Sequence, residues 1–188
     1  MTHKIEVRFP LITERLLIRP VEMSDADALF KYRSDRKSNK YQGWIPETPE
    51  DAKDFINSLV LNDIDVPDTW FQLVIIIRSG NILIGDIGIH FLNSDNSQVE
   101  IGYTLDKNYQ HKGYATEALK IIIDFLFIIL NKHRITASID PRNKSSVSLV
   151  KRLGFRKEAH FRESSLIRNE WTDDLVYAIL KKEWKKLI

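Results

Sequence analysis

The chain has 188 residues, of which 43% are hydrophobic, and its 28 Lys and Arg exceed its 26 Asp and Glu by a net charge of +2. That length is typical of one globular domain, and so small a net charge argues against a protein built to bind nucleic acid. The sequence contains no cysteine, which excludes a disulfide framework, a thiolate zinc site and a cysteine nucleophile.

Two segments bear on where the protein resides. Residues 1–10 alternate charged and apolar residues and lack the continuous apolar core of a signal peptide. Residues 121–130 are the most hydrophobic stretch, but Asp124 interrupts them, and a membrane-spanning helix needs about 20 apolar residues. We therefore expect a soluble, cytoplasmic protein without membrane contact, in which residues 121–130 belong to a buried helix.

The first half of the chain predicts a strand, two helices and three further strands. The strand covers residues 15–19, a helix carrying Ala28, Leu29 and Tyr32 follows, and Pro49 marks the start of the second helix. From residue 71 the pattern changes to that of strands, predicted at 71–78, 81–91 and 98–105. The first two are joined by a Ser-Gly-Asn turn that indicates a hairpin.

The second half alternates helices and strands. A long helix is predicted over residues 113–130, a strand over 134–139, a short helix over 144–152, and two strands around 155–163 and 175–180. This order predicts an α/β (α+β) fold, a single domain with a mixed, mostly antiparallel sheet and helices on both faces.

The start of the long helix carries the first functional signal. A strand ends at Leu105, a loop contains Gly113, and the small residue Ala115 lies where the helix begins. The N–H groups of a first helical turn have no intrahelical partners and face the positive end of the helix dipole, so this pattern favours a pyrophosphate site. An ordinary strand-to-helix connection explains the same local pattern equally well, and the segment is neither a Walker loop nor Gly-x-Gly-x-x-Gly.

Four segments, in order along the chain, resemble the GNAT superfamily of N-acetyltransferases, and within it the ribosomal-protein alanine N-acetyltransferases of the RimJ and RimL type. Residues 110–115 (Gln-His-Lys-Gly-Tyr-Ala) are similar to the family's acetyl-CoA motif, Arg/Gln-x-x-Gly-x-Gly/Ala. Residues 13–20 and 100–103 look like the first and fourth strands of that branch, and residues 140–155 like its second cofactor motif. The resemblance implies one N-acetyltransferase domain over residues 10–185, with splayed fourth and fifth strands.

The resemblance also implies acetyl-CoA as the cosubstrate. In the family the pantetheine arm pairs with the fourth strand, and backbone amides at the helix start hold the pyrophosphate. An asparagine that contacts the arm matches Asn143, which together with Ser146 also suits a helix cap. The predicted cofactor-binding residues are Tyr103, Thr104, Leu105, Gln110, His111, Lys112, Gly113, Tyr114, Ala115, Thr116 and Asn143.

Acyl transfer to an amine needs a general base, donors to the carbonyl oxygen and a proton for the leaving thiolate. Glu100 is the first candidate for the base, although a solvated or salt-bridged strand carboxylate gives the same pattern. The resemblance places the family's proton-donating tyrosine at Val150, which has no proton to donate. In the RimL-type branch the donor is a serine that falls on Ser146, for which a helix-capping role is the alternative.

Four residues are candidates for binding the acceptor: Trp44, His90, His160 and Glu163. Trp44 belongs to a loop over residues 41–46 that is rich in aromatic and turn residues, although a tryptophan there is also typical of a core anchor. The five histidines lack metal-ligand spacing, so we expect no metal. Contact of the basic segment 181–186 with RNA or an acidic protein stays open, but such a run is typical of a solvated terminus, so we expect no specific nucleic-acid partner. A monomer and a homodimer are both consistent with the sequence.

The predicted function is acetyl-CoA-dependent transfer of an acetyl group to a primary amine, with a protein N-terminal α-amine as the favoured acceptor. Without cysteine no acetyl-cysteine intermediate can form, so the transfer should be direct. Three alternatives stay open: acetylation of a small amine such as a polyamine, amino sugar or amino acid, a non-catalytic CoA-binding sensor, and a nucleotide-binding module that uses the same helix start.

Overall fold

The structure is a computed structural model that describes residues 8–60, 63–92 and 96–186. The strands are β1 (Leu11–Ile12), β2 (Leu16–Pro20), β3 (Trp70–Ile77), β4 (Ile82–Leu92), β5 (Gln98–Leu105), β6 (Arg134–Ile139), β7 (Arg156–Ile167) and β8 (Glu170–Leu180). The helices are α1 (Ala26–Arg33), α2 (Pro49–Val60), α3 (Tyr114–Asp124), α4 (Lys144–Arg152) and α5 (Lys181–Trp184). The short strand β1 precedes those predicted, so the predicted fourth and fifth strands are β5 and β6.

All eight strands form one sheet in the order β1-β2-β3-β4-β5-β6-β8-β7. Every neighbouring pair is antiparallel except β5 with β6, which run parallel. The prediction of a mixed, mostly antiparallel sheet is confirmed. The parallel pair lies near the middle of the sheet. Its strands run in the same direction because the chain leaves the end of β5, crosses over through α3 and returns beside β5 as β6.

The parallel pairing of β5 with β6 is short. It covers three residue pairs, from Gln98 opposite Arg134 to Glu100 opposite Thr136. Strand β5 continues to Leu105 and stays paired with β4 throughout that length. The two central strands therefore diverge after Glu100, which confirms the predicted splay and opens a gap between them.

Helices cover the two faces of the sheet unequally. Leu119 of α3 and Leu149 of α4 belong to a large buried core that fills one face. On the other face, α1 and α2 pack against Val74 and Ile76 of β3 in a smaller core. These two helices cover the part of that face made by β2, β3 and β4. The part made by β5, β6 and β8 is adjacent to the covered region.

The hydrophobic segment 121–130 is helical, as predicted, and mostly buried, although Ile128 and Ile129 are 58% and 45% exposed. Helix α3 ends at Asp124, and the chain continues as one wider π-helical turn over Phe125–Ile129. Ile122, Leu126 and Phe127 are buried in the large core. Among the described residues, no helix is long and apolar enough to span a membrane.

A buried ionic cluster joins α1 to β4. The carboxylate of Asp86 is fully buried and accepts hydrogen bonds from the Tyr32 hydroxyl at 2.5 Å, from Arg33 Nε at 3.1 Å and from the Gln72 amide. Burial, with the negative charge of Asp86, raises the pKa of Tyr32 well above its ordinary value, so its hydroxyl remains a donor. Since water does not reach the cluster, each charge depends on its partners for stabilisation.

We expect the Asp86→Asn substitution to lower the free energy of unfolding by about 3 kcal/mol or more, because it leaves the Arg33 guanidinium buried without a counter-charge. Glu47→Gln is the matched control, since it also removes a carboxylate from an arginine, Arg36, but both side chains are 71% exposed. That control should lose less than about 1 kcal/mol. Urea denaturation of both variants measures the difference, and equal losses would contradict the assigned role of the cluster.

Candidate active site

A cleft of about 600 Å³ lies where β5 and β6 diverge. Its walls are the end of β5, the first turns of α3 and α4, and the connection between α1 and α2. The predicted cofactor residues that line it are Tyr103, Thr104, Leu105, Gln110, His111, Gly113, Tyr114, Ala115, Thr116 and Asn143. Lys112 is not among the lining residues, and its ammonium group instead donates to the carbonyl of Asn108. Of the two predicted catalytic residues, Ser146 lines the cleft and Glu100 does not.

The edge of β5 presents backbone groups to the gap. The N–H of Asp106 donates to the Ile84 carbonyl at 2.8 Å, so the even-numbered residues of this segment bond toward β4. The odd-numbered residues Tyr103 and Leu105 therefore direct their N–H and carbonyl groups toward the gap. An extended amide chain can bond to such an edge in the way that an added strand does.

The first turn of α3 forms the second wall. Gly113 is the N-cap residue with φ +85°, in the left-handed region that favours glycine. Since glycine has no side chain to cap the helix, the first-turn N–H groups remain available to an anion in the cleft. Arg15 steadies this loop, because its guanidinium donates to the Lys112 carbonyl at 3.1 Å and to the Glu117 carboxylate at 2.7 Å.

The start of α4 forms the third wall. The side-chain oxygen of Asn143 accepts a hydrogen bond from the backbone N–H of Ser146 at 3.2 Å, so Asn143 caps the helix. The cap uses the backbone of Ser146 and not its hydroxyl. The hydroxyl of Tyr103 donates to the Ser146 carbonyl at 3.4 Å, and burial raises the pKa of Tyr103 to about 12. Val150 is fully buried in the core, so its position is remote from solvent and cleft alike.

A segment over residues 34–48, which we call the strap, connects α1 to α2 and forms the fourth wall. The Asn39 amide donates to the carbonyls of Tyr32 and Arg33 at 2.7 and 3.2 Å, which ties the strap to the end of α1. The Gln42 amide donates to the Tyr103 carbonyl at 3.3 Å, on the open edge of β5. Arg168, between β7 and β8, donates to the strap at the Gln42 carbonyl, 3.2 Å away.

Glu100 lies on the opposite face of the sheet from Tyr103 and α4. Alternation along β5 places Glu100, Gly102 and Thr104 on this face, and Glu100 has His90 of β4 as its cross-strand neighbour. Burial raises the pKa of the Glu100 carboxyl, His90 opposes that shift, and Asp174 of β8 adds to it. A carboxylate with a raised pKa beside the gap is suited to accept a proton near neutral pH.

Two glycines leave the backbone bare beside Glu100. Gly88 of β4 and Gly102 of β5 are cross-strand partners. The Trp70 ring lies against Gly88, where an added Cβ would be 3.1 Å from Cζ3, and stacks on His90 with ring centroids 4.7 Å apart. An added Cβ on Gly102 would meet no heavy atom within 4 Å. The space over Gly102 is therefore open, and Glu100 and Thr104 are its neighbours on the same face of the strand.

The structure does not bring all predicted acceptor residues together. His90 adjoins Glu100, but Trp44 stacks on Phe55 in the smaller core, with ring centroids 4.3 Å apart. His160 is the cross-strand partner of Leu175, which places it on the α4 face, where its ring bonds to Asp173 at 2.7 Å. The backbone N–H of Glu163 also bonds to Asp173, at 3.0 Å. Trp44 is thus held inside the smaller core, His160 lies on the face opposite Glu100, and Glu163 is tied to Asp173 through its backbone.

Sequence reasoning missed two residues near the cleft, Gln42 and Arg168, and it did not foresee the unpaired hydroxyl of Thr104, a residue it had selected. Gln42 belongs to the aromatic loop that was predicted to line an acceptor pocket, but its bond to Tyr103 connects residues 61 positions apart. The Thr104 hydroxyl is buried and, among the described residues, has no hydrogen-bond partner. The sequence around Arg168 does not predict its contact with the strap, because Arg168 reaches the strap only when the hairpin of β7 and β8 is folded. Gln42 lies in the same loop as the selected Trp44, and Thr104 was itself selected as a cofactor-binding residue.

No group of three or more His, Asp or Glu side chains within residues 8–60, 63–92 and 96–186 is arranged to hold a metal ion. The open edge of β5, the free amides at the start of α3 and the volume of the cleft fit a long ligand that carries amides and a pyrophosphate. The fold and the cleft therefore define a class of protein with a split sheet that is suited to bind an elongated ligand carrying both a pyrophosphate and an amide chain.

The chain belongs to the acetyltransferase (GNAT) domain family, whose sequence profile matches residues 15–156. It is 38% identical over 177 residues to YnaD, an uncharacterized N-acetyltransferase of Bacillus subtilis, covering 93% of this chain and 98% of that protein. A GNAT-family acetyltransferase structure from Bacillus anthracis superposes with TM-score 0.83 at 32% identity, covering 93% of this chain and all of that one. The ribosomal-protein-S5-alanine acetyltransferase structure of Vibrio fischeri superposes with TM-score 0.78 at 26% identity, covering 94% and 99%. The protein is thus an acetyl-CoA-dependent N-acetyltransferase.

We expect the Gly113→Ala substitution to weaken CoA binding about tenfold, because a side chain disfavours the left-handed backbone that directs the first-turn amides into the cleft. Gly80→Ala is the matched control, since Gly80 has φ +99° but lies in the hairpin turn between β3 and β4. Both variants should lose about 1 kcal/mol of stability. Isothermal titration with CoA should separate them, and unchanged affinity in Gly113→Ala would refute this role of the loop.

Proposed function

We propose that the protein acetylates the N-terminal α-amine of a protein or peptide. The observation that carries this proposal is the position of Glu100 beside the gap, on the face opposite the cofactor walls formed by α3 and α4. A donor bound against α3 and α4 and an acceptor bound over Glu100 would meet at the gap. Neither substrate would then block the other, which is what direct transfer in a ternary complex requires.

The cofactor side follows from the groups already described. Acetyl-CoA supplies a thioester, whose acetyl carbon forms a bond to the amine nitrogen as its bond to sulfur breaks. The backbone of Tyr103 and Leu105 would bind the pantetheine arm, and the first-turn amides of α3 would bind the pyrophosphate. The N–H groups on the same strand edge would stabilise negative charge on the carbonyl oxygen.

Glu100 is the proposed general base. A protein α-amine is largely protonated below about pH 7.7 and must lose a proton to act as a nucleophile. Burial, which raises the pKa of Glu100, strengthens it as a proton acceptor, and His90 beside it keeps the shift moderate. The Glu100 carboxylate would take the amine proton, directly or through one water molecule.

Ser146 is the proposed donor of the proton that the departing thiolate gains. Its hydroxyl is not used by the helix cap and it lines the cleft. The Tyr103 hydroxyl, 3.4 Å from the Ser146 carbonyl, is a second candidate. Because burial raises the pKa of Tyr103 to about 12, that hydroxyl keeps its proton across the neutral range.

The acceptor face favours a polypeptide over a small free amine. Phe161 of β7 is 51% exposed and pairs across the strands with Asp174, whose carboxylate accepts from Ser138 on the same face as Glu100. An exposed aromatic side chain on the same face as Glu100, three strands or about 14 Å away, offers contact area that an extended chain can use. The likeness to a ribosomal-protein-S5-alanine acetyltransferase supports the same acceptor class.

We expect Glu100→Gln to lower kcat/KM for a peptide acceptor about a hundredfold or more, because the amide cannot accept the amine proton. In the wild type, kcat/KM should fall as the pH drops through the raised pKa of Glu100, and the variant should lack that limb of the profile. Initial rates of CoA release between pH 5 and 9 measure both effects. An unchanged profile would show that another group is the base.

We expect Glu100→Gln, which lowers activity, to raise the stability of the folded protein. Because the pKa of Glu100 is raised in the folded protein, the charged form opposes folding at pH values above that pKa, and the penalty disappears toward its ordinary value of 4.5 and below. Glu100→Gln should therefore raise Tm at pH 7 and show no gain at pH 4. Glu47→Gln, in an exposed pair, should show no such pH-dependent gain. A loss of Tm at pH 7 would mean that Glu100 is a structural carboxylate.

We expect Ser146→Ala to lower kcat about tenfold or more without changing CoA affinity, since it removes a proton donor but keeps the backbone N–H that Asn143 caps. Ser145→Ala is the matched control on the same helical turn. Tyr103→Phe tests the second candidate. Pre-steady-state rates of acetyl transfer distinguish them, and a normal rate for Ser146→Ala with a slow rate for Tyr103→Phe would transfer the role to the tyrosine.

A further inference from the structure

The loop at the start of α3 is held by a group outside the cleft. Residues 13–15 connect β1 to β2 and lie against the first turn of α3. The Thr13 hydroxyl and the Arg15 backbone N–H donate to Oε1 of Glu117 at 2.5 and 3.0 Å, and Arg15 Nε donates to Oε2 at 2.7 Å. These bonds join residues 102 and 104 positions apart in the sequence, so the connection between the first two strands fixes the end of α3 that faces the cleft.

The Arg15 guanidinium contacts three successive residues where the loop enters the helix. Nη1 donates to the Lys112 carbonyl at 3.1 Å, and Nη2 would lie 3.2 Å from a Cβ added to Gly113. The guanidinium carbon lies 4.4 Å from the centroid of the Tyr114 ring, within the range of a cation–π contact. One rigid, planar group therefore sets the position of the loop, its N-cap glycine and the first helical residue.

Glu117 places a negative charge in the turn that is proposed to bind the pyrophosphate. Its backbone N–H donates to the Gly113 carbonyl at 3.0 Å, which closes the first turn of α3. Burial raises the pKa of the Glu117 carboxyl, but hydrogen bonds from Thr13 and Arg15 outweigh burial and keep that pKa below its ordinary value. The carboxylate is therefore charged at neutral pH and repels an anion bound at the same turn. Arg15 Nη2, 2.6 Å from Oε2, supplies the opposite charge.

We propose that Arg15 is a positioning residue for the pyrophosphate of acetyl-CoA, because it holds the loop before α3 in its binding conformation and neutralises Glu117. Neither Arg15 nor Glu117 is among the residues that line the cleft, so both act through the backbone and the electrostatic field at the start of α3. This inference rests on the proposed binding of the pyrophosphate by the first-turn amides. It is independent of the acceptor, which is proposed to bind on the other face of the sheet.

Four variants separate these effects. Arg15→Ala removes the guanidinium, and it should fold because the side chain is 42% exposed. Arg15→Lys keeps the charge, but one ammonium group cannot span the Lys112 carbonyl and the Glu117 carboxylate. The double variant Arg15→Ala/Glu117→Gln removes both charges and keeps an acceptor oxygen at residue 117. Arg78→Ala is the matched control, because Arg78 donates to the Thr13 carbonyl of the same connection at 2.9 Å.

The ligands are CoA, dephospho-CoA, which lacks only the 3′-phosphate, and pantetheine, which lacks the pyrophosphate and the nucleotide. Isothermal titration should show that Arg15→Ala weakens CoA and dephospho-CoA equally, about tenfold, and pantetheine by less than about twofold. Arg15→Lys should lose about threefold with the two pyrophosphate ligands. The double variant should bind CoA about threefold more tightly than Arg15→Ala, because the unpaired carboxylate is gone. Arg78→Ala should bind all three ligands as the wild type does.

The three ligands distinguish the contrary results. Equal losses with CoA and pantetheine would show that Arg15 only supports the shape of the cleft, and a loss with CoA alone would move its role to the 3′-phosphate; either result overturns the proposal. The same loss in Arg78→Ala would overturn the assignment to Arg15. A double variant no tighter than Arg15→Ala would overturn the neutralisation of Glu117. A wild-type protein that binds dephospho-CoA no more tightly than pantetheine would overturn the pyrophosphate site itself, and the role of Arg15 with it.

Discussion

The separation of β5 from β6 after only three paired residues is the constraint on which the active site depends. A central strand normally uses both of its edges within the sheet, but beyond Glu100 the edge of β5 faces a gap. The N–H groups of Tyr103 and Leu105 thereby face a ligand, while their carbonyls accept from the side chains of Gln42 and Gln110. The same gap connects the two faces of the sheet, so in the proposed mechanism the carboxylate on one face and the start of α3 on the other act in one reaction.

The buried cluster around Asp86 fixes the position of the strap, which is one wall of the cleft. Asp86 fixes Arg33 at the end of α1, and Asn39 binds the carbonyls that end the same helix. The strap that continues from α1 therefore starts from a rigid point, and Gln42 reaches the edge of β5 from there. Arg168 holds the strap from the opposite side. The position of one wall of the cleft thus depends on a buried charge pair between α1 and β4.

Much of the fold is readable from short-range pattern. The alternation of Val99 and Ile101 with Glu100 and Gly102 predicted β5 and both of its faces, because a strand has a period of two. The start of α3 was predicted because glycine and small residues mark helix termini locally. The contacts of Arg168 with the strap and the ring of Trp70 over Gly88 were not predictable, since long-range packing sets them. For the same reason Trp44, selected as an aromatic loop residue, proved to pack on Phe55.

The proposed entry of donor and acceptor from opposite faces of the sheet has a consequence for inhibitor chemistry. Since the helices α3 and α4 lie on one side of the sheet and Glu100 on the other, a single molecule that joins CoA to an acceptor fragment must pass through the gap beside Tyr103. The linker between its two halves need only span the distance between the CoA sulfur and the acceptor nitrogen during transfer. Once one half of such a bisubstrate compound is bound, the other half is held at a high effective concentration near its own site, which increases the overall affinity. Its acceptor half would also report directly on the chemistry of the exposed face, independently of turnover.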